Sequence, residues 1–298
     1  MKPVVPLFYF PFKILFVDDN TDLLKSYHHL EIPNKIATES DPHVAIKDLV
    51  QNHIKLVQLF KDITDEQSID KSTKEHESVL KFTFNEMQDL INNPLKYDKY
   101  GVVVVDYKMP EMNGIELCNT INDLNIIKIL LTGEYDPLNA LDTLNEDTID
   151  CFLQKGQTTS ESLLSTINKL TLKYFKHFTH SFLNLAENRF NFLLDQEFIN
   201  IFNSCIENNK ITEYYILNSS GCYLMLNNKN KFIFNIYSDK YLNTFCDMYE
   251  YIDKKTLKQI KQRELIPAAR LSDDINLKND FYPCIKTGEY YYNLIKFN

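Results

Sequence analysis

A chain of 298 residues with 44% hydrophobic residues is long enough for two domains, each with its own core. A net charge of −9 excludes a protein that coats nucleic acid through its whole surface, while leaving room for a local basic patch. The six cysteines (Cys118, Cys151, Cys205, Cys222, Cys246, Cys284) form no CxxC and no regular spacing, which reads as reduced thiols of a cytoplasmic protein rather than a disulfide or zinc framework.

Residues 1–12, MKPVVPLFYFPF, are apolar but broken by Pro3, Pro6 and Pro11. The stretch is short and lacks a small-residue cleavage site, so neither a signal peptide nor a membrane span is expected. Its prolines bar it from a central strand. It is expected as an extended arm on an apolar surface of its own chain or of a second copy, because an exposed VVPLFYF would be adhesive.

Lys13–Asn20 (KILFVDDN) is an apolar strand ending in the acidic pair Asp18 and Asp19. Lys35–Glu39 (KIATE) is the second strand, and Asp41-Pro42 has the form of an N-cap with proline at the first helical position. Helical density follows through Val44, Ile46, Leu49, Val50, Ile54, Val57, Leu59 and Phe60. After the polar run Lys61–Ser78 a second helical pattern carries Val79, Leu80, Phe82, Phe84, Met87, Leu90 and Ile91, and stops at Asn92-Asn93-Pro94. Asp19 and Asp106 lie 106 − 19 = 87 positions apart, roughly twice what two βα units need. A helical hairpin with a polar tip is therefore inserted at about 52–96. It is either a partner-docking element or an extended helix that only packs on the sheet.

Gly101–Gly114 (GVVVVDYKMPEMNG) is the most informative segment: a continuous valine run, a turn rich in Pro and Gly, and Asp106 between them. Such a run reads as a strand buried on both faces, with Asp106 at its C-terminal end, where open α/β sheets place their ligand sites. Lys128–Glu134 (KILLTGE) ends in Thr132, and Asp150–Gly156 (DCFLQKG) ends in Lys155. Parallel strands separated by helices bring these ends to one sheet edge. Clustered carboxylates there suit a hard cation such as Mg²⁺. The cation and the lysine would offset charge on a phosphoryl group in transfer to Asp106, and an aspartyl phosphate is an accessible covalent product.

With these residues in this order, the chain resembles the two-component response regulators. The resemblance implies a flavodoxin/CheY-like, doubly wound, parallel five-stranded receiver at 13–170. It implies Asp106 as phosphoacceptor, with Mg²⁺ held by Asp18, Asp19, Asp106 and the backbone carbonyl of Lys108. It gives Thr132 and Lys155 the phosphate-binding roles, has Gly133 leave room for the phosphoryl group, and makes Phe152 the aromatic reporter of the switch. A histidine kinase or a small phosphodonor would supply the phosphoryl group, and phosphorylation would drive homodimerisation. The chain departs from the family in one corner. The lysine is usually followed by a cis-proline, but here by Gly156, so the approach of Lys155 must be set otherwise, by glycine flexibility. An aspartyl-phosphate phosphatase is a weaker match, because such enzymes carry a second aspartate where Lys108 stands. The chain is expected to be a phosphoacceptor with at most slow autodephosphorylation, not an enzyme. If the altered corner has retired the site, a receiver-fold scaffold remains.

Beyond Thr159, apolar residues recur at threes and fours: Leu163, Leu164, Ile167, Leu170, Phe175, Phe178, Phe182 and Leu185. The last receiver helix thus runs on into a helical linker at 171–205, which either pairs with its twin or packs on a neighbouring domain. His177 and His180 lie one turn apart but have no third ligand, so ordinary histidines are expected. Residues 206–298 form a small α+β output domain. It has a meander of Glu213–Leu217, Cys222–Leu226 and Lys231–Tyr237, a helix from Ser238-Asp239, and a returning strand near Tyr290–Tyr292. No helix-turn-helix or zinc spacing is present. Lys254, Lys255, Lys258, Lys261 and Arg263 form a basic helical face, which is a solvated surface or a DNA- or nucleotide-contacting patch. The overall organisation is similar to bacterial response regulators of the Legionella quorum-sensing type, whose output domain has no assigned chemistry.

Overall fold

The computed structural model describes residues 2–30, 32–54, 87–133, 148–185, 190–248, 252–269 and 280–297. Most of the insertion read at about 52–96 lies outside these residues; within it, residues 87–92 are helical, with Met87 and Leu90 buried. The chain divides into two compact units. A first short strand, β1 (Phe8–Tyr9), belongs to the second of them.

The first unit, whose described residues are 11–30, 32–54, 92–133 and 148–174, holds a parallel sheet of β2 (Lys13–Val17), β3 (Ile36–Glu39), β4 (Tyr100–Val105), β5 (Ile127–Thr132) and β6 (Cys151–Gln154). Their order is β3-β2-β4-β5-β6, the flavodoxin/CheY-like order expected from the sequence. Every residue of β4 and β5 is buried, because helices cover both faces and neither strand needs a polar side. The helices start where their caps dictate. Asn20 caps α1 (Thr21–Tyr27), Asp41 with Pro42 caps α2 (Pro42–Asn52), and an Asn113–Glu116 capping box opens α3 (Gly114–Thr120). Leu15, Val17, Val103, Val105 and Leu130 pack on Ala45, Leu49, Leu117 and Cys118 to form one core face. The chain leaves β2 toward β3 on one side and returns to β4 on the other. This order reverses between β2 and β4 and opens a crevice at their C-terminal ends.

The helix α4 (Ser160–Leu185) is continuous across the division between the units, which falls at Tyr174/Phe175. The second unit also takes in residues 2–10 and 87–91, α5 (Gln196–Asn209), α6 (Asp239–Met248) and α7 (Lys254–Lys261). The expected meander is present as β7 (Glu213–Ile216), β8 (Tyr223–Leu226) and β9 (Lys231–Ser238). A ribbon of β10 (Leu265–Pro267) and β11 (Phe281–Pro283) follows, then β12 (Ile285–Thr287) and β13 (Tyr290–Phe297). The antiparallel sheet has the order β1-β7-β8-β9-β13-β12.

The N-terminal arm thus lies on its own chain, as an edge strand paired through Phe8↔Tyr215 and Tyr9↔Tyr214. An edge position suits a segment with prolines on either side. Val4, Val5, Leu7, Phe8 and Phe10 are all buried, and the Leu7 amide donates to Thr179 Oγ1 at 3.0 Å. The aromatic stripe expected at 171–205 is interior rather than a bare spacer: Phe175, Phe190, Phe198 and Phe202 are fully buried.

Candidate functional site

The ends of the parallel strands are placed by ladder hydrogen bonds. The Asp18 amide donates to Glu39 O, the Asp106 amide to Val17 O, and the Lys155 amide to Thr132 O. Asp18, Asp106 and Thr132 are buried, and Asp19 is exposed. Carboxylate oxygens of Asp18, Asp19 and Asp106 lie within 4.8 Å of one another, the one grouping among the described residues able to hold a metal ion. Lys155 Nζ reaches Asp18 Oδ2 at 2.6 Å and Asp106 Oδ1 at 3.1 Å. The Thr132 hydroxyl also hydrogen-bonds Asp106. These groups line a cleft of about 530 Å³ with Asn20, Lys108, Met109, Pro110 and Gly133.

The electrostatics follow from burial and pairing. Burial raises the Asp106 carboxyl above the usual carboxylate range, although Lys155 and Thr132 pull it down. Burial works against the Lys155 ammonium, but hydrogen bonds to Asp18 and Asp106 outweigh it and hold that pKa above the ordinary lysine value. Three carboxyl side chains converge here, with Lys155 seated against two of them, and every donor they offer is oxygen. This set fits a hard divalent cation.

The remaining expected residues fall around this centre. A Cβ built on Gly133 would meet nothing closer than Lys155 Cβ at 4.0 Å, so the space beside Thr132 is open. Phe152 is half-buried and packs against the core face that holds Leu130 and Ile149. The Lys155–Gly156 bond is trans, and Gly156 is left-handed at φ +82°. Two residues gain roles that the sequence did not give them. Asn20 caps α1 and donates its amide to Asp18 Oδ1 at 3.0 Å, fixing the acidic pair. A Cβ on Gly114 would lie 2.3 Å from the carbonyl oxygen of Asp106, so the acceptor loop closes only over a glycine. The polar residue after the acidic pair was a readable cap signal; the approach of Gly114 had no local signal.

His180 Nε2 lies 3.0 Å from Lys2 O and secures the arm. On α7, Lys254, Lys255, Lys258 and Lys261 are all exposed. Arg263 is not part of that face and corrects the expected patch. The helix ends at Lys261, Arg263 turns left-handed at φ +60°, and its guanidinium is pulled back to Asp239 Oδ1 at 2.8 Å.

No family model matches the chain. The transcriptional regulatory protein FixJ of Rhizobium meliloti (strain 1021) is 39% identical over 57 residues, 18% of this chain; the chain spans 28% of that relative's length. The Legionella pneumophila response regulator LqsR superposes with a TM-score of 0.72 at 23% identity, covering 100% of this chain and 91% of that one. The chain has the fold of a response regulator. The likeness in fold extends over both compact units of the chain. In the parallel-sheet unit, the acidic cluster, Thr132 and Lys155 occupy the C-terminal edge of the sheet.

Proposed function

We propose that the chain is a phosphorylated response regulator in which Asp106 accepts a phosphoryl group from a histidine kinase. The observation that carries this reading is the contact of Asp106 with Lys155, with Asp18 and Asp19 within 4.8 Å. An oxygen of Asp106 attacks phosphorus, the bond from phosphorus to the donor's imidazole nitrogen breaks, and that nitrogen keeps the electron pair. Bound Mg²⁺, held by Asp18, Asp19, Asp106 and the Lys108 carbonyl, would supply charge neutralisation for the transferring oxygens. Lys155 leaves its place between the two carboxylates to meet a phosphoryl oxygen, and the Thr132 hydroxyl donates to another. Gly133 leaves the space they need. Withdrawal of Thr132 from Asp106 opens room beneath Phe152, whose rotamer then biases the surface between two states.

The chain is an acceptor with slow self-hydrolysis, not a turnover enzyme, and the signal leaves through homodimerisation or through the output unit. No helix among the described residues is long and apolar enough to cross a membrane. With six free cysteines, a cytoplasmic setting fits. Hydroxylamine tests the chemistry, since an aspartyl phosphate yields a hydroxamate at Asp106. Trapping at any other residue contradicts the assignment. The exposed lysines of α7 favour a second reading of the output, contact with nucleic acid. It requires binding that weakens steeply with salt and is lost in the Lys254→Ala, Lys255→Ala, Lys258→Ala variant.

A further inference from the structure

The corner after β6 shows how Lys155 is aimed without a proline. Gln154 O accepts from the Gln157 amide at 3.2 Å, closing a four-residue turn with Lys155 and Gly156 at its centre. Gly156 has φ +82°, whereas Lys155 is not among the non-glycine residues with positive φ. A left-handed third residue under this hydrogen bond is the position that type II turns give to glycine. Lys155 is thus the first residue past β6, set between the strand's last residue, Gln154, and the left-handed Gly156.

Both flanks of the turn are fixed. On one side the Lys155 amide is held by Thr132 O at 2.9 Å. On the other, Gln154 O also accepts from the Thr158 amide at 3.1 Å and the Thr158 hydroxyl at 2.9 Å. Thr159 then receives the Ser162 amide on its Oγ1 at 3.2 Å at the start of α4. A side chain at residue 156 would favour a negative φ and a different turn. Because Gln154 O holds residues 157 and 158 on the far side of the turn, the adjustment would fall on the backbone between them, at Lys155 and residue 156.

We propose that Gly156 is the positioning residue for Lys155: its left-handed conformation does here what a proline corner does elsewhere. This inference rests on the phosphoacceptor reading above. A Cβ at Gly156 would meet no atom within 4 Å, so Gly156→Ala perturbs backbone conformation and not packing. Gly156→Asn provides the rescue, because asparagine tolerates the left-handed region far better than alanine.

The test is calorimetric binding by the full chain, which has no tryptophan to report fluorescence, first of Mg²⁺ alone and then of beryllofluoride as the phosphoryl stand-in. The expected result is that Gly156→Ala binds Mg²⁺ no worse than wild type but loses about tenfold in beryllofluoride affinity, the population penalty of a left-handed alanine. Gly156→Asn should regain most of that loss. The inference is overturned if Gly156→Ala binds beryllofluoride like wild type, loses both ligands together, or is not rescued by asparagine. If the wild type itself fails to bind beryllofluoride, the phosphoacceptor reading falls first and takes this inference with it.

Discussion

Replacing Lys155 by methionine removes the one ammonium seated between two buried carboxylates. Its Nζ lies 2.6 Å from Asp18 and 3.1 Å from Asp106, whose side chains are 4% and 8% exposed. Stripping one partner from a buried ion pair costs about 3–5 kcal/mol. Because the Lys155 side chain is 26% exposed, water screens part of the interaction. A loss of about 2–3 kcal/mol is expected at neutral pH. For a unit of this size that corresponds to a fall in Tm of roughly 4–12 °C. The pH dependence gives the sharper signature. Asp106 is already raised above the carboxylate value of 3.8 by burial, and removing Lys155 removes a group that opposes the rise. A carboxyl raised in the fold contributes stability below its unfolded pKa and loses it as pH rises through the folded value. The deficit of Lys155→Met should therefore be small in acid and reach its full size above the raised pKa. Mg²⁺ should recover more stability in the variant than in the wild type. Thermal unfolding from acid to neutral pH, with and without Mg²⁺, measures all of this. A deficit that is flat with pH, or absent, refutes the reasoning.

Other perturbations test other parts of the structure. Gly114→Ala drives a methyl onto the Asp106 carbonyl, 2.3 Å away, and should cost about 1–3 kcal/mol in urea denaturation while slowing phosphoryl uptake. Phe8→Ala removes a ring 5.4 Å from Phe175 and 5.3 Å from Phe178; a loss of about 3–5 kcal/mol is expected, and less than about 1 kcal/mol would deny the arm its place in the core. Mg²⁺ affinity should fall as pH drops through the raised Asp106 pKa, because proton and cation compete for one carboxylate; an affinity independent of pH would place the cation elsewhere.

The candidate site was legible because its signals are local. A valine run that gives way to Asp106, or an apolar strand that stops just before Lys155, announces a strand end without knowledge of the rest of the fold. The meander from Glu213 to Ser238 was legible for the same reason, each strand being followed by polar turn residues. Long-range pairing was not. Phe8 and Tyr9 meet Tyr215 and Tyr214 across most of the chain, and only the apolar, proline-broken character of the arm hinted at a covered edge. The division within α4 falls at Tyr174/Phe175, inside one helix whose apolar spacing is the same on both sides. Arg263 misled by proximity: two residues after the helix the backbone has turned left-handed, and the side chain serves Asp239 instead of the solvent face.

The most direct measurement is the intact mass of the full chain after incubation with Mg²⁺ and acetyl phosphate, wild type beside Asp106→Asn. The phosphoacceptor account predicts one added phosphoryl group on the wild type, dependent on Mg²⁺, and none on the variant. Equal labelling of both, or none on a wild type shown to bind Mg²⁺, would contradict it.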